Sequence, residues 1–453
     1  MTKVKNGEFM EKEEILKKKV AIITLGCDKN TVDSERIAYR IKNSGFEITT
    51  DISNAQIAII NTCAFIESSR KESIDVILET AQHKNSTGLE KLIVCGCLPQ
   101  RGYKDLTESL PEVDLFVKIK DYPQMAKLIF ELYGSTLEDK IEISQPARLI
   151  STPNHYAYLK IADGCNNFCS YCTIPFIRGR YNSTPLDCLV NEAKALAEDG
   201  VKELILVAQD VTQYGQDLKP KTDIVTLIRE LSKIDKIKWI RLLYCYPNYI
   251  TNELLVEIDT NPKVCKYIDI PFQHTSSAVL KAMNRPENHE KIFDLVDKIK
   301  HLERYVSIRS TFMAGFPTET RKDYKILKKS LKQLLLQNVG FFAYSQEEGT
   351  RAGSMARQVP IRKRNKRVKS LQHIQTKILK KRQKSMIGKE LEVLVDAKYD
   401  EDTYIARSEY DAPNVDTVVF IFTNADLQTG EFYKVKVVDT LNDTDLIANL
   451  IKE

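Results

Sequence analysis

HYAYLKIADGCNNFCSYC, residues 155–172, decides how the chain is read. An apolar and aromatic run, HYAYLKIA, has the composition of a buried strand, and it leads directly into a loop carrying Cys165, Cys169 and Cys172. Five further strand patterns follow: ELILVAQD (203–210), WIRLLYCYP (239–247), YIDIPFQH (267–274), SIRSTFMAGFP (307–317) and VGFFAYS (339–345). Helical patterns such as PLDCLVNEAKALAEDG (185–200) separate them. Six β/α units in about 200 residues suit a partial (β/α)6 barrel better than a closed eightfold one. The cysteine loop then sits at the carboxyl end of the first strand, where such folds carry their chemistry.

Working outward, residues 18–134 form a first domain of α/β pattern. KVAIITLGC (19–27), AQIAIINTC (55–63) and KLIVCGC (91–97) read as buried parallel strands, and VDSERIAYRIKNSG (32–45) as a helix stopped by Gly45. A doubly wound sheet is expected, with its functional crevice outside the carboxyl ends of the strands. Cys27, Cys63 and Cys97 each fall just beyond such an end. Cys95 stands two residues before Cys97, and simple alternation would point both the same way, so spacing alone does not exclude it. A charged connector including LEDKIEISQPARLI (137–150) leads to the second domain, residues 151–384.

That domain ends in a basic stretch. Residues 361–384 hold 11 Lys or Arg and no acid, with Val368, Leu371, Ile374 and Ile378 at helical spacing. This is an amphipathic basic helix, either a packed linker with a solvated face or a phosphate contact. Residues 385–453 alternate as strands, KELEVLVDAKY, TYIARSEY, TVVFIFT and EFYKVKVVDT, and predict a small antiparallel β-barrel. With 6 Lys or Arg against 15 Asp or Glu, its formal balance is −9. A barrel gripping a nucleic-acid backbone should be basic, so this one suits a basic partner.

Bulk properties bound the class. The 453 residues are 43% apolar and 28% charged, the composition of a globular protein of about three domains. No apolar run has bilayer length, and the first residues mix both charge signs, so a cytoplasmic protein without membrane association is expected. Ten cysteines in a reducing compartment then act as ligands, nucleophiles or buried apolar groups; Cys188, Cys245 and Cys265, inside apolar patterns, read as the last of these.

The gaps of three and two residues in GCNNFCSYC match neither ferredoxin runs nor paired zinc knuckles; three thiolates on one loop suit a [4Fe-4S] cluster with one iron open. The loop, including Tyr171 before the third Cys, resembles the signature of the radical S-adenosylmethionine (SAM) superfamily. That resemblance implies SAM chelation at the open iron and reductive cleavage to a 5′-deoxyadenosyl radical. It also implies that Gln209 and Asp210 approach the cofactor's amino group and that Gly315, in the Gly315-Phe316-Pro317 turn, approaches its adenosyl group. Gln273 and His274, closing the fourth strand, could face the same cavity.

LGCDKNTVDSE (25–35), NTCAFIESS (61–69) and GCLPQR (96–101) resemble the amino-terminal domain of the methylthiotransferase family. The resemblance implies that Cys27, Cys63 and Cys97 hold a second [4Fe-4S] cluster, and that the last domain is a TRAM domain. Within the family, RLLYCYP, DIPFQH, FAYSQEEGT and ARSEYDAPNVD (406–416) look like the branch that modifies an aspartate β-carbon in a small-subunit ribosomal protein; the alternative is the tRNA-modifying branch. The implied partners are that protein or its ribosomal subunit, an electron donor and a sulfur donor. Thr184, Thr318 and the ending TDLIANLIKE depart from the family pattern.

Overall fold

The computed structural model describes residues 10–137 and 148–451, apart from the side chains of 103 and 104. Residues 138–147 of the expected connector lie outside the described residues. The chain forms two compact units: residues 1–151 with 173–180, and residues 152–172 with 181–453.

In the first unit, five parallel strands, β1 (Lys19–Thr24), β2 (Glu47–Thr49), β3 (Ile57–Thr62), β4 (Lys91–Gly96) and β5 (Leu115–Phe116), lie in the order β2-β1-β3-β4-β5. Both faces are covered, which is why β3 is buried throughout and reads as an unbroken apolar run. Helices Asp28–Asn43 and Met125–Leu132 pack Ile37, Ile41, Ile129 and Phe130 on one face; helices Glu67–Ser86 and Cys97–Ser109 pack Ile77, Ala81 and Leu98 on the other. This is the expected doubly wound sheet. Its order reverses between β1 and β3, which places the topological switch point at the two strands preceding Cys27 and Cys63.

In the second unit, β6 (Tyr156–Lys160) is followed by a short antiparallel pair, β7 (Ala162–Asp163) and β8 (Asn182–Ser183), which ties together the two ends of the cysteine-bearing segment. β9 (Glu203–Val207) and β10 (Trp239–Leu242) continue a parallel sheet with β6; β11 (Tyr267–Asp269), β12 (Ser307–Ala314) and β13 (Asn338–Ala343) form another. An isolated parallel bridge between Ile240 and Val264 spans the seam. Six parallel strands in chain order make the partial barrel.

The expected basic helix spans Ile361–Met386, but its buried stripe differs from the apolar one expected. Leu371 is buried, while Arg364 and Arg367 turn inward beside it. Arg364 donates to the carbonyls of Val359 and Tyr344, the latter at 2.8 Å, and Arg367 pairs with the buried Glu319 at 2.9 Å. Fewer cations therefore face solvent than the count of 11 implied.

The last five strands, β14 (Glu390–Lys398), β15 (Thr403–Ser408), β16 (Val419–Phe422), β17 (Phe432–Leu441) and β18 (Asp445–Leu450), close a barrel. All pairs are antiparallel except β16 with β18, whose parallel pairing completes the ring. The unusual ending is therefore the closing strand. Arg407 on β15 pairs with Glu203, the first residue of β9, at 2.8 Å, and Arg241 pairs with the same carboxylate at 2.7 Å. Burial opposes the charge on Glu203, and the two arginines hold its carboxyl below the usual range. The barrel is thus seated at the amino ends of the core strands, away from the cysteine loop.

Candidate functional site

Two groups of thiols need building from the backbone upward. In the first unit Cys27 directly precedes helix Asp28–Asn43, Cys63 directly follows β3, and Cys97 opens helix Cys97–Ser109. Two of the three stand at helix amino termini, which favour negative charge. The three are close enough to act on one another. Burial raises the Cys63 thiol, with Cys27 adding to the rise; burial pushes Cys97 up to about 11, against the pull of Arg178 and with Cys27 and Cys63 adding.

Gly96 separates the two thiols that simple alternation would point the same way. Its φ of +98° reverses the chain after β4, so Cys95 packs on one face of the sheet beside Tyr122 while Cys97 joins the other. A Cβ at Gly96 would lie 2.4 Å from the Thr62 carbonyl oxygen, so only glycine fits this turn. Asn30 fixes the neighbouring strand ends by donating to the carbonyls of Leu25 and Thr62 at 2.8 and 3.1 Å. Its own oxygen accepts from Arg178 at 2.6 Å.

In the second unit Cys165 is buried and Cys169 and Cys172 are half-buried. Burial pushes the Cys165 thiol up to about 11, opposed by the Asn167 N–H and reinforced by Cys169. The loop is clamped from residues far along the chain. Ser170 donates its N–H to Met283 O and its hydroxyl to Ala282 O, at 2.8 and 2.9 Å, and Asn284 donates to Phe168 O at 2.9 Å. Tyr171 lies edge-on to Phe316, and burial raises its hydroxyl well above the ordinary tyrosine range.

Of the other residues singled out, Asp210 is fully buried and already engaged: it accepts from Asn167 at 2.9 Å, Gln213 at 2.8 Å and the Thr212 hydroxyl. It shapes the cysteine loop through Asn167. Gln209 donates to Asp163 at 3.3 Å, while its Oε1 is buried with no hydrogen-bond partner. Gly315 faces Arg364, whose Cγ would be 2.4 Å from an added Cβ, so the basic helix itself requires glycine there. His274 is buried; its Nδ1 accepts from Ser276 N at 2.9 Å and its Nε2 has no partner. Cys245 and Cys265 are buried as expected, whereas Cys188 is half-exposed.

Sequence reasoning missed Asn30, Asn167, Arg178 and Arg285. Asn167 lies within the quoted loop, so proximity alone could have flagged it. Arg285 lies 116 residues from Cys169, to which its Nη1 donates at 3.9 Å, and nothing in the sequence signals that approach.

Both trios are thiol-only, the donor set of iron-sulfur clusters. Among the described residues no three His, Cys, Asp or Glu side chains converge as closely as one metal ion demands. A cubic cluster instead takes its thiolates at separate corners, and the residues fit that group.

Residues 19–118 match Uncharacterized protein family UPF0004, residues 159–330 the Radical SAM superfamily, and residues 387–451 the TRAM domain. The chain is 43% identical over 443 residues to the ribosomal protein uS12 methylthiotransferase RimO of Caldicellulosiruptor saccharolyticus, an alignment covering 96% of this chain and 100% of that one. This chain belongs to the RimO family. It is a radical SAM methylthiotransferase with a carboxyl-terminal TRAM barrel. The RimO of Geobacter sulfurreducens is 42% identical over 446 residues, 96% of this chain and 99% of its own. Among solved structures, the radical SAM methyltransferase TsrM from Kitasatospora setae, with cobalamin and a [4Fe-4S] cluster bound, matches with a TM-score of 0.54 at 15% identity, covering 74% of each chain. The cobalamin-dependent radical SAM enzyme OxsB matches with a TM-score of 0.51 at 12% identity, over 80% of this chain and 57% of that one. At such identities these two share the fold with the RimO-family chain and nothing more is carried over.

Proposed function

We propose that the chain installs a methylthio group on the β-carbon of an aspartate in ribosomal protein uS12, acting in the cytoplasm on that protein or on the small ribosomal subunit. Cys165, Cys169 and Cys172 hold one [4Fe-4S] cluster, and Cys27, Cys63 and Cys97 hold another. The domains run from 18 to 134, 151 to 384 and 385 to 453. One observation carries the reading: thiol-only trios lie beyond the carboxyl ends of parallel strands in both units, in a chain that matches RimO proteins almost end to end.

With SAM bound, the core cluster would supply the electron that cleaves SAM to methionine and a carbon-centred radical able to take hydrogen from an unactivated C–H bond, and the second would carry the sulfur. Everything else falls to this chain's residues. Gln209 presents an unpartnered Oε1 at the end of β9 and accepts from the cofactor's amino group. Asp210 acts at one remove, holding Asn167 and so the cysteine loop. Tyr171 and Phe316 pack the loop against the Gly315 turn and exclude water from it. No side-chain base could remove the β-hydrogen, which is why radical chemistry is needed. An electron donor and a sulfur donor complete the system.

The barrel balance of −9 supports a basic protein as substrate, and the relatives named above support uS12 over tRNA. The test is anaerobic reconstitution followed by incubation with SAM, reductant and either small ribosomal subunits or tRNA. Replacement of one C–H by C–SCH3 in uS12 is expected; modified adenosine in tRNA with an unchanged uS12 mass would overturn the assignment.

A further inference from the structure

Arg285 comes from the loop after helix Ser277–Ala282 and is buried, as are Glu287 and Tyr246 beside it, while Cys169 is half-buried. Its Nη1 donates to the Cys169 thiol at 3.9 Å; its Nη2 donates to the Pro271 carbonyl at 3.0 Å and to Glu287 at 2.8 Å. The guanidinium carbon sits 4.3 Å from the centre of the Tyr246 ring. Burial works against the charge, but the Glu287 carboxylate and the Cys169 sulfur favour it, and arginine does not lose its proton in proteins. The side chain is also directional. Its nearer edge meets sulfur, while the carboxylate that balances it occupies the other nitrogen.

We propose that Arg285 raises the reduction potential of the cluster held by Cys165, Cys169 and Cys172, with Glu287 opposing it. The inference rests on the ligand assignment above. When the cluster is reduced, one electron enters from a low-potential donor and no bond in the protein forms or breaks. The added charge spreads onto the cysteine sulfurs, and a fixed cation hydrogen-bonded to one of them stabilises the reduced form. Burial of the guanidinium strengthens this, because less water screens its charge. Lysine could supply charge but not the fork that reaches Cys169, Pro271 and Glu287 together.

The experiment uses full-length protein carrying Cys27→Ala, Cys63→Ala and Cys97→Ala, so that only the core trio can load. After anaerobic reconstitution, iron and sulfide per chain are measured, and dithionite titrations followed by electron paramagnetic resonance give the midpoint potential. Arg285→Gln should move the potential to more negative values and Glu287→Gln to more positive values, both at undiminished iron content. A merely structural role would not shift the two in opposite directions. Equal or same-direction shifts in the loaded variants overturn the role of Arg285 while leaving the ligand assignment standing. If Arg285→Gln costs the iron, Glu287→Gln decides alone, and an unchanged potential there overturns the proposal. An iron-free parent overturns the ligand assignment and the proposal with it.

Discussion

Arg178 donates to the Cys97 thiol at 3.8 Å and to Asp33 at 2.8 Å, although it stands only six residues beyond Cys172 in the sequence. The segment Thr173–Arg180 follows the radical-SAM cysteine loop in the chain yet folds with the first unit. Arg178 helps to fasten it there, since Asn30 and Asp33 both lie on the helix that begins after Cys27; Thr173, donating to Phe65 O, and Ile177, in the core, do the same.

The Arg178–Asp33 pair is nearly dry, with side chains 2% and 5% exposed. Removing one partner of such a pair strands the other charge, at a cost of about 3–5 kcal/mol. Arg178→Met should lower stability by about that amount in denaturant unfolding. It should also reduce iron loading at Cys27, Cys63 and Cys97. Adding Asp33→Asn should recover part of the stability, because the stranded carboxylate is then gone. A loss no greater in the single variant than in the double one would count against a buried ion pair.

Thr318 has a φ of +73°, a left-handed conformation that a β-branched residue rarely adopts. It stands in the turn after β12, where Thr318 N donates to Arg357 O at 3.2 Å. The conformation thus stores backbone strain of order 1–3 kcal/mol. Thr318→Gly should stabilise the protein by about 1 kcal/mol, somewhat less than the strain because glycine gains freedom in the unfolded chain. Thermal unfolding of the two forms, both loaded with iron, measures the difference.

How much of this was legible depended on how far apart the partners lie in sequence. The core strands were readable because parallel strands buried on both faces, such as Ile57–Thr62, become unbroken apolar runs. The cysteine positions were readable because each follows such a run. Short edge strands were not: Glu47–Thr49 and Leu115–Phe116 are too brief to show a pattern. The final strand did leave a signal. Asn442 and Asp443, both of a type that tolerates positive φ, have φ of 52° and 62° in the tight turn that joins Leu441 to its partner Asp445. Arg178 and Arg285 could not have been found, since a lone arginine looks solvated until the fold brings a thiol and a carboxylate to it. The inward turn of Arg364 and Arg367 was hidden for the same reason.

His274 supplies a pH dependence. Burial depresses its pKa to about 3 from an ordinary 6.5, with Asp323 opposing the shift and Arg367 reinforcing it. The folded protein therefore keeps the ring neutral while the unfolded chain takes up a proton below pH 6.5. The unfolded state binds more protons, so this contribution to stability is present above pH 6.5 and is lost as pH falls towards 3. The slope is about 1.4 kcal/mol per pH unit. His274→Gln should flatten the decline between pH 6 and pH 4 by roughly that slope, read by denaturant unfolding at each pH. An unchanged slope would mean that the ring is protonated in the folded state.

The acidic barrel makes a prediction about substrate rather than chemistry. Its exposed turn Asp400-Glu401-Asp402 sits between β14 and β15. If the barrel attracts a basic ribosomal protein, the attraction acts through water and weakens as salt shortens its reach from about 10 Å at 0.1 M to about 3 Å at 1 M. Raising the ionic strength should therefore raise the KM for the small subunit while leaving kcat largely intact, because the loop clamped by Ser170 and Asn284 is unaffected. Reversing the three charges to Lys should reproduce the high-salt KM at low salt and remove most of the salt dependence. Formation of 5′-deoxyadenosine without ribosomal substrate should be the same in both proteins. A matching fall in that uncoupled reaction would place the effect in the core instead of at the barrel surface.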